Sequence, residues 1–220
     1  MKPLSISGVY KYKNKIFTEN PTYCKGLKVY DEIIIKYNNK EFRSWNPYKS
    51  KLSAAIHKGL KILDISEKSD VLYLGAATGT TVSHLSDIVN NGVVYAIEKS
   101  PFVLKKLLKL CNQRKNIIPI MSDANHPERY NVSVPLVDFI YQDISQRNQD
   151  EIFINNIRKY LKINSQGIIM VKSRSIDVSL KPKQVYNMVI DKLELNKIKI
   201  IDIIDLSNYE KAHAAIVISS

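Results

Sequence analysis

Cysteine is nearly absent from this chain. Cys24 and Cys111 are its only two and lie far apart, which argues against a disulfide scaffold and a Cys-x-x-Cys motif and points to buried thiols in a reducing compartment. Histidine is almost as scarce. His57, His84, His126 and His213 show no metal-ligand spacing, so no metal site is expected. No apolar stretch approaches membrane-spanning length, and the opening MKPLSISGVYKYKNK lacks the apolar core of a signal peptide. A cytoplasmic protein with no membrane partner is the expectation. Acidic residues are in deficit: Lys+Arg 33 against Asp+Glu 21 gives +12, which favours a polyanionic partner such as RNA. A lysine-rich solvated surface would give the same balance, and the abundance of Ile, Lys and Asn is also what a biased genome produces. Internal repeats and low-complexity segments are missing too. The 220 residues allow one full domain, or one with a small appendage.

What is present is organised around residues 71–100, VLYLGAATGTTVSHLSDIVNNGVVYAIEKS. Val71 to Leu74 is an apolar run suited to a buried parallel strand. Gly75-Ala76-Ala77-Thr78-Gly79 follows, with small residues that admit a ligand close to the backbone. Thr81 opens an amphipathic helix with Val82, Leu85, Ile88 and Val89 on one face. Asn90-Asn91-Gly92 is expected to end it, because Asn and Gly tolerate the left-handed conformation of a C-cap. Val93 to Ile97 is a second strand, with Glu98 at its carboxyl end. Such a strand–turn–helix–strand–acid unit is the general form of a nucleoside-binding crevice. The dinucleotide spacing G-x-G-x-x-G is lacking. Gly75-x-x-x-Gly79 suits an adenosine without phosphate, so S-adenosylmethionine (SAM) ranks before NAD, with Glu98 accepting from the ribose hydroxyls. A ligand-free α/β protein with a tight turn here is the plain alternative.

Residues 1–48 read as a small antiparallel β subdomain, a possible RNA or protein contact surface, and residues 49–220 as the main domain. Ile33-Ile34-Ile35 and Lys40 to Arg43 flank Asn38-Asn39 as hairpin arms. A helix carrying Leu52, Ala55, Ile56 and Leu60 follows. Pro101 opens another, running to Cys111. Strands are expected over 117–121, 136–142, 167–172, 197–205 and 212–218, with helices over 148–161 and 181–193. Strands alternating with helices make a doubly wound α/β fold, a mostly parallel seven-stranded sheet with an antiparallel pair at its end.

Ligands bind outside the carboxyl ends of such strands. Those ends supply Thr80 and Thr81, Glu98, Asp123 and Ala124, Asp143, and Lys172. Asp123 can accept from an adenine amino group, and the Ala124 N–H can meet a ring nitrogen. Asp143 and Lys172 on neighbouring strand ends make a candidate ion pair. A structural salt bridge is its plainer reading.

The stretches RSWNPYKSKLSAAI, VLYLGAATGTTVSHLSDIV, VYAIEKSP, NIIPIMSDANHPERY, VDFIYQDISQ, VKSRSID and YEKAHAAIV resemble fibrillarin of the archaeal form, over essentially the whole chain. The Gly/Arg-rich extension of eukaryotic members has no counterpart here. The resemblance implies a Rossmann-like SAM-dependent methyltransferase fold. It implies an RNA ribose 2′-O-methyltransferase acting on rRNA and tRNA within a box C/D ribonucleoprotein. Its partners would be guide and target RNA, a Nop-type scaffold protein and a kink-turn-binding ribosomal-protein homologue. Carried over by position, Thr80 and Thr81 lie at the methionine end of the cofactor. Glu98 and Lys99 lie by the ribose, Asp123 and Ala124 by the adenine, and Asp143, Ile144, Ser145 and Gln146 beside the sulfur. The catalytic set maps to Lys51, Asp143, Lys172 and His213. Two positions depart from the family pattern: Ala212 stands where an acid is common, and Thr78 where serine is usual. Within this set Lys172 is the expected proton acceptor or alkoxide stabiliser, oriented by Asp143. Methylation of a base or a protein side chain is the alternative reaction. A non-catalytic subunit is a third reading, against which the presence of Lys51, Asp143 and Lys172 argues.

Overall fold

A computed structural model describes all of residues 1–220. The chain opens with five short antiparallel strands, β1 (Lys2–Pro3), β2 (Val9–Tyr12), β3 (Lys15–Asn20), β4 (Ile34–Tyr37) and β5 (Lys40–Trp45), in the order β1-β2-β3-β5-β4. The β4–β5 hairpin turns through Asn38 and Asn39 with φ of 48° and 60°, the double left-handed turn that asparagine tolerates. α1 (Lys51–His57) leads into the larger sheet. It stops at Lys58 and Gly59, so Leu60, expected from the sequence on the helix, instead reaches the core from beyond it.

The larger sheet is built from β6 (Val71–Leu74), β7 (Val94–Glu98), β8 (Ile117–Met121), β9 (Val137–Gln142), β10 (Leu161–Lys172), β11 (Lys199–Asp205) and β12 (His213–Ser219). Its order is β11-β12-β10-β9-β6-β7-β8, parallel except where β12 runs against both neighbours. Between the strands lie α2 (Thr80–Ile88), α3 (Pro101–Cys111), α4 (Gln149–Tyr160), the single turn α5 (Ser173–Ile176) and α6 (Pro182–Leu195). The order reverses between β6 and β9, which puts a crevice at the carboxyl ends of these two strands. No helix is long and apolar enough to cross a membrane.

α2 departs from its sequence pattern in an instructive way. Its apolar side, with Val82 and Leu85 fully buried, packs as expected, each contributing about 1.5–3 kcal/mol. The polar side is buried as well, beneath the N-terminal sheet, so Ser83, His84, Ser86 and Asp87 see almost no solvent. Every one of these groups is paired, as burial requires. Asp87 Oδ2 accepts from Arg43 Nε at 3.0 Å, Arg43 Nη2 at 2.9 Å and the Thr18 hydroxyl at 2.6 Å, while Asp87 Oδ1 accepts from Arg114. Arg43 also donates to Glu32 at 2.6 Å and to Ser83 at 3.1 Å. Burial works against the Arg43 charge, but Asp87 and Glu32 outweigh it and hold the guanidinium pKa above its ordinary value.

His84 completes this network as a neutral ring. Burial, then Arg43 and Arg114, push its pKa well down. Thr18 Oγ1 donates to Asp87, so it accepts at 2.7 Å from His84 Nδ1, which leaves Nε2 to accept from the Tyr30 hydroxyl at 2.6 Å. The ring stacks on Trp45, centroids 4.8 Å apart. The N-terminal sheet and the larger one therefore share one core: Ile6, Val9, Ile16 and Trp45 belong to the same cluster as Leu52, Val82 and Tyr141.

The end of α2 also differs from expectation. Neither the asparagines nor Gly92 adopts a left-handed conformation, and the helix stops at Ile88. Gly92 is needed for close approach instead, since a Cβ there would sit 2.1 Å from the Ser69 carbonyl oxygen.

Candidate active site

The carboxyl ends of β6, β7, β8 and β9 surround a cavity of about 270 Å³. Its floor is the turn after β6, where Gly75, Ala77 and Gly79 have φ of 86°, 50° and 95°. A Cβ on Gly75 would come within 2.4 Å of the Asp143 carbonyl, so only glycine lets the β6 and β9 ends close together. Glu98 ends β7 with its carboxylate held by two backbone donors, Ala77 N–H at 2.9 Å and Ser100 N–H at 2.8 Å. Asp123 accepts from Asn125 N–H at 2.9 Å, and Lys99 Nζ lies 3.8 Å from its other oxygen. The Ala124 carbonyl takes a hydrogen bond from Asn156 at 2.9 Å, while its own N–H has no partner in the chain. Asp143, Ile144, Ser145 and Gln146 form the opposite wall. Thr80 and Thr81 begin α2 outside this wall, and the Thr81 hydroxyl is engaged with Ser50 at 2.9 Å.

Ser50 is also the N-cap of α1, accepting from Ser53 N–H, and so fixes where α1 delivers its first residue, Lys51. Lys51 Nζ stands 2.8 Å and 2.9 Å from the two oxygens of Asp143. The expected ion pair of Asp143 with Lys172 is therefore replaced by one with Lys51. Register explains the change. Gln142 lies opposite Ile169, so β10 runs about two residues past Asp143 before reaching Lys172, roughly 7 Å at strand rise. Lys172 has no carboxylate at ion-pair distance and instead stands directly across from His213. His213 Nδ1 lies 2.9 Å from the Lys211 carbonyl, which requires the proton on Nδ1 and leaves the Nε2 lone pair free. Burial first pushes the His213 pKa down; the Lys211 carbonyl pulls it up and the Lys51 charge lowers it again. The ring is thus a neutral acceptor near pH 7. Of the four side chains carried over as catalytic, the structure pairs Lys51 with Asp143, sets His213 within reach of both charges, and places Lys172 opposite His213 in strand register.

The wall of the cavity holds Glu98, Asp123 and Asp143 against a single lysine, Lys99. Such a surface favours a cationic ligand and opposes a phosphate. The fibrillarin family model matches residues 2–220. The chain belongs to the fibrillarin family. A fibrillarin-like rRNA/tRNA 2′-O-methyltransferase of Methanocaldococcus jannaschii is 50% identical over 193 residues, covering 88% of this chain and 84% of that protein. Aeropyrum pernix fibrillarin, solved with natively bound S-adenosyl-L-methionine, superposes with a TM-score of 0.85 at 40% identity, over 93% of this chain and 88% of that one. A fibrillarin solved in complex with Nop5p gives 0.90 at 39% identity, over 100% and 99%. Gln149, absent from the residues expected at the site, is fully buried between Gln146 and Lys172. A lone glutamine at a helix start carries no signature that would have marked it.

Proposed function

We propose that this chain is the catalytic subunit of a box C/D guide ribonucleoprotein and transfers a methyl group from SAM to the ribose 2′-hydroxyl of rRNA and tRNA. The observation that carries the proposal is the carboxylate-rich cavity with the Lys51–Asp143 pair at its wall. Its residues fit the cofactor. Glu98, pinned by two amides, keeps lone pairs for two ribose hydroxyls, and Asp123 with the free Ala124 N–H matches the edge of an adenine. The Asp143–Gln146 wall would lie beside the sulfonium, and the start of α2 at Thr80 and Thr81 would hold the methionine end. Bound SAM supplies an electrophilic methyl group; its transfer breaks the carbon–sulfur bond, forms the carbon–oxygen bond, and releases the hydroxyl proton.

The chain's own part is to place the acceptor oxygen and take that proton. Lys172 receives it or stabilises the developing alkoxide. Lys51, neutralised by Asp143, holds that carboxylate in place at the cofactor wall. His213, opposite Lys172 in strand register, keeps Nε2 free to accept a hydrogen bond. The guide RNA selects the nucleotide by base pairing, the Nop-type scaffold seats this subunit, and a kink-turn-binding protein organises the RNA. The surplus of basic residues supports contact with RNA in that assembly.

In particles rebuilt with SAM, changing the guide sequence should move the methyl group to the newly paired nucleotide, detected as protection of one backbone bond from alkaline cleavage. Methyl groups found on bases or on protein would contradict the reaction assigned here. Glu98→Ala removes a charged acceptor, worth about 1.5–3 kcal/mol, so SAM affinity should fall roughly 10–150-fold in a folded variant. Calorimetry giving unchanged affinity would displace the ribose from Glu98.

A further inference from the structure

The ladder between β9 and β10 ends at Gln142 and Ile169, three residues short of Lys172. On its other side Lys172 is paired with β12, but towards β9 its backbone has no strand to bond to. Gln149, the first residue of α4, fills that gap. Its Oε1 accepts from Lys172 N–H at 3.0 Å, and its Nε2 donates to the Lys172 carbonyl at 3.3 Å. The same Nε2 donates to the Gln146 carbonyl at 3.1 Å, on the cavity wall. The Gln149 carbonyl in turn accepts from Gln142 Nε2 at 2.6 Å, at the end of β9. Both glutamines are fully buried. One side chain thus holds the lysine-bearing strand end and the cofactor wall at a fixed separation.

We propose that Gln149 is a positioning residue for methyl transfer, setting Lys172 against the Asp143–Gln146 wall. The proposal rests on the role given to Lys172 above. The chemistry demands glutamine. Glutamate lacks the donors that two carbonyls require, asparagine is one methylene too short to reach both segments, and methionine has the length without the hydrogen bonds. Loss of the amide leaves the peptide of Lys172 without its partner, and a shift of order 1 Å in a reacting group costs about 10²-fold in rate.

The test uses the assembled particle carrying Gln149→Met, with three readouts: single-turnover rate against pH, SAM affinity and amide exchange at Lys172. The expected result is a rate lowered about 10²-fold with an altered pH dependence. SAM affinity should weaken only about fivefold, the worth of one neutral hydrogen bond, with faster exchange at Lys172. A variant that merely melts earlier, but transfers methyl at the wild-type rate and pH profile per folded molecule, overturns the proposal. If Gln149→Met does not fold, Gln149→Asn keeps a polar amide in the site and decides by the same criteria. A wild-type particle that makes no 2′-O-methyl product would sink the functional assignment separately. SAM affinity and Lys172 exchange would then still report whether Gln149 couples the two segments, and no change in either would sink the clamp as well.

Discussion

Lys172→Ala is expected to slow single-turnover methyl transfer by about 10²–10⁴-fold, the usual worth of a positioned proton-transfer group. SAM binding and particle assembly should survive, because Lys172 is not part of the cavity wall and makes no ion pair that holds the fold. Lys172→Arg separates the two roles the residue can play. A guanidinium keeps the positive charge but does not deprotonate in a protein, so it can stabilise an alkoxide and cannot accept the proton. We expect arginine to be nearly as inactive as alanine. Substantial activity in Lys172→Arg would assign Lys172 to electrostatic stabilisation, and near-wild-type activity in Lys172→Ala would exclude both roles. Asp143→Ala should behave differently. It removes the partner of Lys51 and a carboxylate of the cavity together, so both the rate and SAM affinity fall.

Asp87→Ala should be strongly destabilising, though it lies away from the cavity. It strips the carboxylate shared by Arg43 and Arg114, whose side chains are 0% and 1% exposed. Breaking a buried pair leaves uncompensated charge and typically costs about 3–5 kcal/mol, and here two cations lose a partner. Urea unfolding followed by circular dichroism would show the loss as a lower midpoint. Asp31→Ala makes the comparison, because the Lys49–Asp31 pair is 45% and 71% exposed and its removal should leave the midpoint in place. Equal midpoints for the two variants would mean that the buried network does not hold the N-terminal sheet to α2.

The contrast between these positions marks what the sequence could reveal. The strands at 71–74 and 117–121 lie where apolar runs and turn residues place them, and the Asn38-Asn39 hairpin forms as its dipeptide dictates. These signals are local: each residue's preference and its neighbours' agree. Glu98, Asp123, Ala124 and Asp143 were legible for a related reason, since a doubly wound sheet must present its strand ends on one side; Ile144, Ser145 and Gln146 came only with the resemblance to fibrillarin. What failed to show is tertiary. Lys51 meets Asp143 across 92 positions of sequence because a capped helix happens to begin beside the end of β9. The polar face of α2 reads as solvated, and only the arrival of Arg43 and Thr18 from another sheet makes it interior. Gly92 looks like a helix cap and proves to be clearance for a neighbouring carbonyl.

The Arg43–Asp87–Arg114 cluster also bears on how this chain can drift. Of its 33 basic residues, 27 are lysine and six are arginine. Two of those six meet at Asp87. Arg43 addresses Asp87, Glu32 and Ser83 at once, from nitrogens spread across a rigid plane. A lysine could offer one nitrogen and would leave at least one of those acceptors dry. Mutational pressure that exchanges arginine for lysine freely on the solvated surface therefore meets a barrier at 43 and 114. A library randomised between the two residues at all six arginine positions should return folded clones with lysine at the exposed sites and arginine at these two.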